Sequence, residues 1–282
     1  MSGWLLDPHR LHWRRAWSPG GVTLAQAIAL APPVAVTLFE RGPGQLMILI
    51  AALLASLVWE LAFASLRRRA ASWHGVTTAL IFAVMASPDT ALWQVMLAMS
   101  FGVVFGELVF GGRGYGFLPA AAAALGFLLF SFTGAGLAPA GTGLVIATLP
   151  GALLLLATGL VSWRALSMAA VVIILTGVAG QGLDGIWSSG VWMRDAWAPA
   201  LGISFGLVFL VSDSLSTAST NPGRYVHGAL AGLLIVLFDA VAGPDIGQAA
   251  VVFAALLASV FAPIIDYFAV ALVLRRRRAG HG

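Results

Sequence analysis

Gln45-Leu-Met-Ile-Leu-Ile-Ala-Ala-Leu-Leu-Ala-Ser-Leu-Val-Trp-Glu-Leu-Ala-Phe-Ala-Ser-Leu66, closed by Arg67-Arg68-Arg69, is the stretch that decides the fold class. It carries one ionisable side chain, Glu60, and exceeds the roughly 20 apolar residues that a helix needs to cross the hydrocarbon of a bilayer. Similar runs lie on both sides of it. Before it stands Val22 to Phe39; after it come His74 to Ala86, Thr90 to Phe110 and Phe117 to Phe132. Beyond residue 133 the pattern resumes with Thr142 to Val161, Ala165 to Ala179, Ala196 to Val211, Val226 to Val241 and Gly247 to Leu274. The chain therefore reads as an all-α polytopic membrane protein of about ten helices in one membrane domain, with a five-helix half at 22–133 and a second at 142–274. An odd number of spans per half makes the second half run inverted relative to the first, the arrangement of many transport folds.

Composition agrees. Of 282 residues, 60% are hydrophobic and 9% charged, too few polar side chains to cover a surface in water. No cysteine is present, which excludes disulfides, thiolate nucleophiles and iron–sulfur ligation by this chain. All 15 basic residues are arginine, and they come in clusters at span ends, a pattern that speaks for topology and against nucleic-acid binding. With the N-terminus inside, Arg10, Arg14, Arg15, Arg67, Arg68, Arg69, Arg113, Arg164, Arg224 and Arg275 to Arg278 fall on the cytoplasmic side, and only Arg41 and Arg194 fall outside. That asymmetry puts both termini on the cytoplasmic side of the membrane. Trp187, Trp192 and Trp197 suit the outer interface. The first apolar run follows three arginines and no small-residue cleavage site succeeds it, so the first helix is expected to stay in the mature protein.

Ionisable and hydroxyl groups at membrane depth are the candidate functional residues, because an aspartate near a helix centre costs at least roughly 2.5–3.5 kcal/mol on insertion scales. Glu107, Asp213 and Asp266 are the candidates for an ion or proton site; Glu60 and Asp239 read as interfacial or arginine-paired. The short third span and the break at Ser87-Pro88-Asp89 point to a helix buried within the bundle. So does the eighth span's passage into Ser212-Asp213-Ser214. Asp213, Ser214, Thr217, Thr220 and Arg224 supply a carboxylate, hydroxyls and a guanidinium suited to a phosphate or to the polar edge of an isoalloxazine ring, and Thr77 and Thr78 are placed to face the same pocket. His9, His12, His74, His227 and His281 all fall near the cytoplasmic boundary, so no haem is expected. Nor is there a phosphate-binding loop, a His-Glu-x-x-His pair or a nucleophile elbow, so an independent soluble-type enzyme is not expected.

The order of several short motifs carries a resemblance: Asp7-Pro8-His9, Gly111-Gly112-Arg113-Gly114, Phe117-Leu118-Pro119-Ala120, and Gly151-Ala-Leu-Leu-Leu155 running to Ser162-Trp163-Arg164. Toward the C-terminus, Ser212-Asp213-Ser214 leads through Ser219-Thr220-Asn221-Pro222-Gly223-Arg224 to Phe261-Ala-Pro-Ile-Ile-Asp266 and the arginine tail. Together these resemble the NqrB/RnfD-like family, the large membrane subunit shared by the Na+-translocating NADH:quinone reductase and the Rnf electron-transport complex. The resemblance implies a ten-helix subunit that binds flavin and helps pass electrons toward quinone or ferredoxin partners while ions move. In that family a threonine in a Ser-Gly-Ala-Thr sequence, between the fifth and sixth spans, carries a phosphoester-linked FMN. Here Thr133-Gly-Ala-Gly-Leu-Ala-Pro-Ala-Gly-Thr142 replaces that loop, and Ala140-Gly141-Thr142 is the remaining echo. The expected cofactor is accordingly noncovalent FMN or riboflavin rather than covalent FMN, with Thr142 kept as a cofactor-binding candidate. Tyr115, Gly116 and Leu118 stand where the family has asparagines, and Glu107 where lysine is common. The expected partners are lipid and other membrane or redox subunits. A cofactor-free small-molecule carrier or channel, and an accessory membrane scaffold of a biosynthetic system, are the alternatives.

Overall fold

A computed structural model describes residues 19–68, 73–112, 115–132, 134–188, 203–213, 216–242 and 247–279. Ser214 lies outside these residues, as do Asp7 to His9, Arg10, Arg14, Arg15, Arg69, Arg113, Trp192, Arg194, Trp197 and His281. The described residues form ten helical elements: α1 (Pro19–Arg41), α2 (Pro43–Arg67), α3 (His74–Met85), α4 (Leu92–Val103), α5 (Ala120–Ser131), α6 (Thr142–Ala157), α7 (Trp163–Ser188), α8 (Ser204–Gly206), α9 (Asn221–Ala242) and α10 (Gly247–Ala279). Two of them end in a π-type turn, α4 through Val104–Leu108 and α8 through Leu207–Val211.

Local chemistry explains the boundaries. Pro43 opens α2 where its missing N–H is no loss, after Gly42 at φ 69°. Arg68, in the left-handed region at φ 51°, closes it. The sixth helix stops at Ala157, four residues before the expected Val161, because Gly159 at φ 70° turns the chain. The eighth is described from Ser204 onward, so the expected start at Ala196 falls outside the described residues. Among the described residues, four helices are long and apolar enough to cross a bilayer by themselves: Gly20–Arg41, Pro43–Arg67, Asn221–Val241 and Gln248–Arg275. Others are apolar but shorter, α3 and α5 having 12 residues each, about 18 Å at 1.5 Å per residue.

The two halves share one pattern of neighbours. In the first, α2 packs on α3 and α4, α4 on α5, and α3 on α1 and α5. In the second, α7 packs on α8 and α9, α9 on α10, and α8 on α6 and α10. Across the halves, α1 meets α6 and α5 meets α10. Glycines allow the closest approaches, as is usual where helices pack without a hydrophobic drive between them. A Cβ on Gly151 of α6 would collide with the Ala29 carbonyl of α1, and one on Gly228 of α9 with that of Ala165 on α7. Pro32 and Pro33 stand inside α1; lacking N–H groups, they leave the Ile28 and Ala29 carbonyls without their usual helical donors. Gly151 comes against the second of these.

The bundle has two ends with different chemistry. One end gathers Arg67, Arg68, Arg164, Arg224 and Arg275 with the starts of α3, α5, α7 and α9. The other carries Arg41, the turn at Ser87 to Ala91 and the start of α6. At the first end Val161 pairs with Asp213 in a single antiparallel bridge; at the second Ala86 pairs with Leu137 in the same way.

Candidate functional site

A polar cavity opens inside the arginine-rich half of the bundle. Gln26 and Leu30 of α1, His74, Thr77 and Thr78 of α3, Pro119 and Ala120 at the start of α5, Val161, Phe209 and Asp213 are among its lining residues. It offers about 40 Å3 to water-sized guests. At 10–15 Å3 for each water centre, that is space for about three waters, or for a cation keeping part of its hydration shell.

Each polar wall is fixed by its element. The α3 N-terminus is held by Glu60 of α2, whose Oε1 accepts the His74 backbone N–H at 3.0 Å; a carboxylate there also suits the positive end of the helix dipole. Glu60 is only 3% exposed, so the interfacial position expected from the sequence gives way to a place inside the bundle. The Thr77 hydroxyl donates to the His74 carbonyl at 2.8 Å and lies the same distance from His74 Nδ1. Thr77 and Thr78 are buried. On the facing wall the π-type turn lets Ser212 N–H and its hydroxyl both reach back to the Leu207 carbonyl, at 3.0 and 2.7 Å. Ser162 N–H donates to the Ser212 carbonyl at 2.9 Å. This swings Asp213 to the cavity wall, where its own carbonyl accepts from Ser216 and Thr217 N–H.

The expected site residues separate into three places. Asp213, Thr77 and Thr78 meet at the cavity. Thr217, Thr220, Arg224 and Asp266 form an adjoining assembly that is largely occupied with itself. Asp266 Oδ2 accepts from Ser219 N–H at 2.6 Å, and Oδ1 accepts from Thr220 N–H at 3.0 Å and from the Thr220 hydroxyl at 2.6 Å. Arg224 Nε donates to the Ala218 carbonyl at 3.1 Å, and the residue is 6% exposed. Thr217 Oγ1 is buried and has no hydrogen-bond partner among the described residues. Glu107, buried in the π-type turn of α4, does not line the cavity, although the adjacent Gly106 packs against Ala120, which does. Thr142 stands apart from all of them: it is the exposed first residue of α6, at the opposite end of a helix of 16 residues, about 24 Å long. Ser214 lies outside the described residues.

A flavin does not fit this cavity. Pockets for ligands of that size measure roughly 300–1,000 Å3, and of the groups expected to grip the ring, Thr220 and Arg224 donate to protein acceptors. Gln26, which lines the cavity, is a polar group that sequence reasoning left out of the site; the signal was its position, a polar residue inside an otherwise apolar run.

The sequence matches the NQR2, RnfD, RnfE family over residues 8–139 and 133–274. It is 30% identical over 270 residues to a protein of Ectopseudomonas mendocina (strain ymp) named as the B subunit of Na(+)-translocating NADH-quinone reductase, the match covering 78% of this chain and 66% of that one. With the protein of the same name from Pseudomonas aeruginosa (strain LESB58), identity is 29% and coverage 79% and 66%. The Chromohalobacter salexigens protein, likewise named, is 30% identical, with 78% and 64% covered. The matched region thus spans about two thirds of the length of these relatives. The family match runs through all ten helical elements, including both walls of the cavity, and on that match the chain belongs to the NQR2, RnfD, RnfE family.

Proposed function

We propose that this chain is the membrane subunit of an electron-transport complex of the Nqr and Rnf type, and that its own contribution is a monovalent-cation site at Asp213. The observation that carries the reading is the meeting of Asp213 with Thr77 and Thr78 in a small polar cavity inside an otherwise apolar bundle. The Asp213 carboxylate brings anionic oxygens to the cavity wall, and the C-terminal turn of a short helix adds negative potential beside it. Threonine hydroxyls suit a hard cation. The relatives' printed name includes Na+ translocation, which makes Na+ the first ion to test. The matching neighbour pattern supports two inverted five-helix halves meeting at this cavity. The grouping of Arg67, Arg68, Arg164, Arg224 and Arg275 at one end supports a cytoplasmic placement of that end in a bacterial inner membrane.

Sodium is expected to raise the thermal stability of the purified chain in a concentration-dependent way. Asp213→Asn should shift the midpoint of that dependence upward by about tenfold or more, the equivalent of losing roughly 1.4 kcal/mol of ion binding. A Na+ response unchanged in Asp213→Asn would remove the assignment.

Flavin enters as a separate test. The Asp213 cavity itself is expected to stay free of flavin, since about 40 Å3 has no room for an isoalloxazine ring. Absorption bands near 370 and 450 nm that persist through gel filtration would show a flavin site on another surface.

A further inference from the structure

At the end of the bundle opposite the cavity, the last carbonyls of α3 are all taken. Arg41 Nη1 donates to the Val84 carbonyl at 2.8 Å, and Nη2 to the Pro139 carbonyl at 3.1 Å. Gln45 Nε2 donates to the Ala83 carbonyl and, at 3.4 Å, to that of Ala86. Ala138 N–H donates to the Met85 carbonyl at 2.9 Å. The C-terminus of a helix carries partial negative charge on such carbonyls, and here a guanidinium from the α1–α2 junction lies against it. The corresponding place in the second half is the C-terminal turn of α8, approached by Val161 and Ser162 from the α6–α7 junction. That place holds the Asp213 cavity, whose described lining residues include His74 and Asp213 and no arginine. Two like positions in the two halves are thus furnished differently, one filled by a guanidinium and an amide, the other left with free volume.

We propose that Arg41 is a tethered cation occupying the counterpart of the Asp213 cavity, and that with Gln45 it closes that end of the bundle to soluble cations. The inference rests on the reading of Asp213 as a cation site. A guanidinium suits the role because it stays charged at every physiological pH and its planar fork serves two carbonyls at once. At this end of α3 the guanidinium is a fixed positive charge held on two carbonyls, so an ion leaving the Asp213 cavity in this direction meets a charge of its own sign. The specificity is for sign: cations are refused from the Arg41 end.

The absence of cysteine from the sequence makes Arg41→Cys a single-thiol variant. In sealed vesicles of phosphatidylethanolamine and phosphatidylglycerol, the full-length variant is expected to leak Na+ at least about tenfold faster than the parent. Methanethiosulfonate ethylammonium, which restores a positive charge, should return the leak to the parental rate, whereas the ethylsulfonate reagent of similar size should not. A variant as tight as the parent, or equal effects of the two reagents, overturns the proposal. Should Arg41→Cys fail to fold, Asp213→Cys in the parental background gives an independent reading. Labelling by the membrane-impermeant trimethylammonium-ethyl methanethiosulfonate only from the arginine-rich face supports the closure, and labelling from the Arg41 face refutes it. Adding Asp213→Asn to Arg41→Cys separates the two ideas. A leak that Asp213→Asn abolishes runs through the cavity; a leak that it leaves intact keeps the closure by Arg41 but defeats the cation site at Asp213.

Discussion

Asp266→Ala is expected to lower the apparent melting temperature of the detergent-purified chain by roughly 6–12 °C, taking about 3 kcal/mol of lost hydrogen bonding and the 2–4 °C per kcal/mol typical of large domains. The carboxylate reaches from α10 to the turn that starts α9 and accepts three hydrogen bonds there, from Ser219 N–H, Thr220 N–H and the Thr220 hydroxyl. Removing it leaves all three donors without this acceptor, together with the positive end of α9, which begins at Asn221. Gly223 permits the approach: a Cβ at that position would stand 2.8 Å from Asp266 Oδ1. Asp266→Asn keeps one carbonyl acceptor and should fall between alanine and the parent. Thr220→Val, which deletes the hydroxyl that donates to Asp266 and accepts from Gly223 N–H, should lose less than Asp266→Ala, and a double-mutant cycle between Thr220 and Asp266 should show coupling. Equal stability of parent and Asp266→Ala would mean that this turn is held by something else.

Gly151→Val should be the more damaging change, with overpacking beyond the usual range of about 1–3 kcal/mol because the obstruction is backbone rather than a movable side chain. Gly151 of α6 lies against the Ala29 carbonyl of α1, and α1 with α6 is one of the two principal contacts joining the halves. A branched side chain forces these helices apart next to Pro32 and Pro33, where α1 already lacks hydrogen bonds. Loss of monodisperse protein on gel filtration is the expected result. Gly136→Ala is the control, since nothing lies within 4 Å of a Cβ there, and it should behave as the parent. A Gly151→Val protein that purifies and melts normally would falsify the close α1–α6 contact.

Much of this architecture was legible in the residues because lipid imposes a simple rule: long uninterrupted apolar runs become helices, and breaks reveal where water or protein takes over. Gln45 to Leu66 corresponds to α2 almost to the residue, and the short third span was visible as such. The Asp213 wall was legible too, since Ser212-Asp213-Ser214 cannot face hydrocarbon. The employment of the charged groups was hidden. Nothing near Glu60 in sequence tells that its carboxylate closes the start of a helix fourteen residues on, nor does anything near Arg41 point to Val84 or Pro139. Asp266 looked like an ion ligand because it is an acid in an apolar run; only the fold shows three donors already directed at it. Thr142 drew notice through resemblance of a loop, and the length of α6 sets it at the other end of the bundle.

The two clasps on α3 also bear on how the chain is made. Twelve residues are too few to settle across a bilayer unaided, yet Glu60 and Arg41 with Gln45, which meet the start and the finish of this segment, are synthesised before it. The cradle is therefore in place when the ribosome delivers its guest. The second half has no such convenience: the turn after α8 waits for Asp266 on α10, so truncation between α7 and that residue should leave the first half assembled and the second half open to membrane proteases.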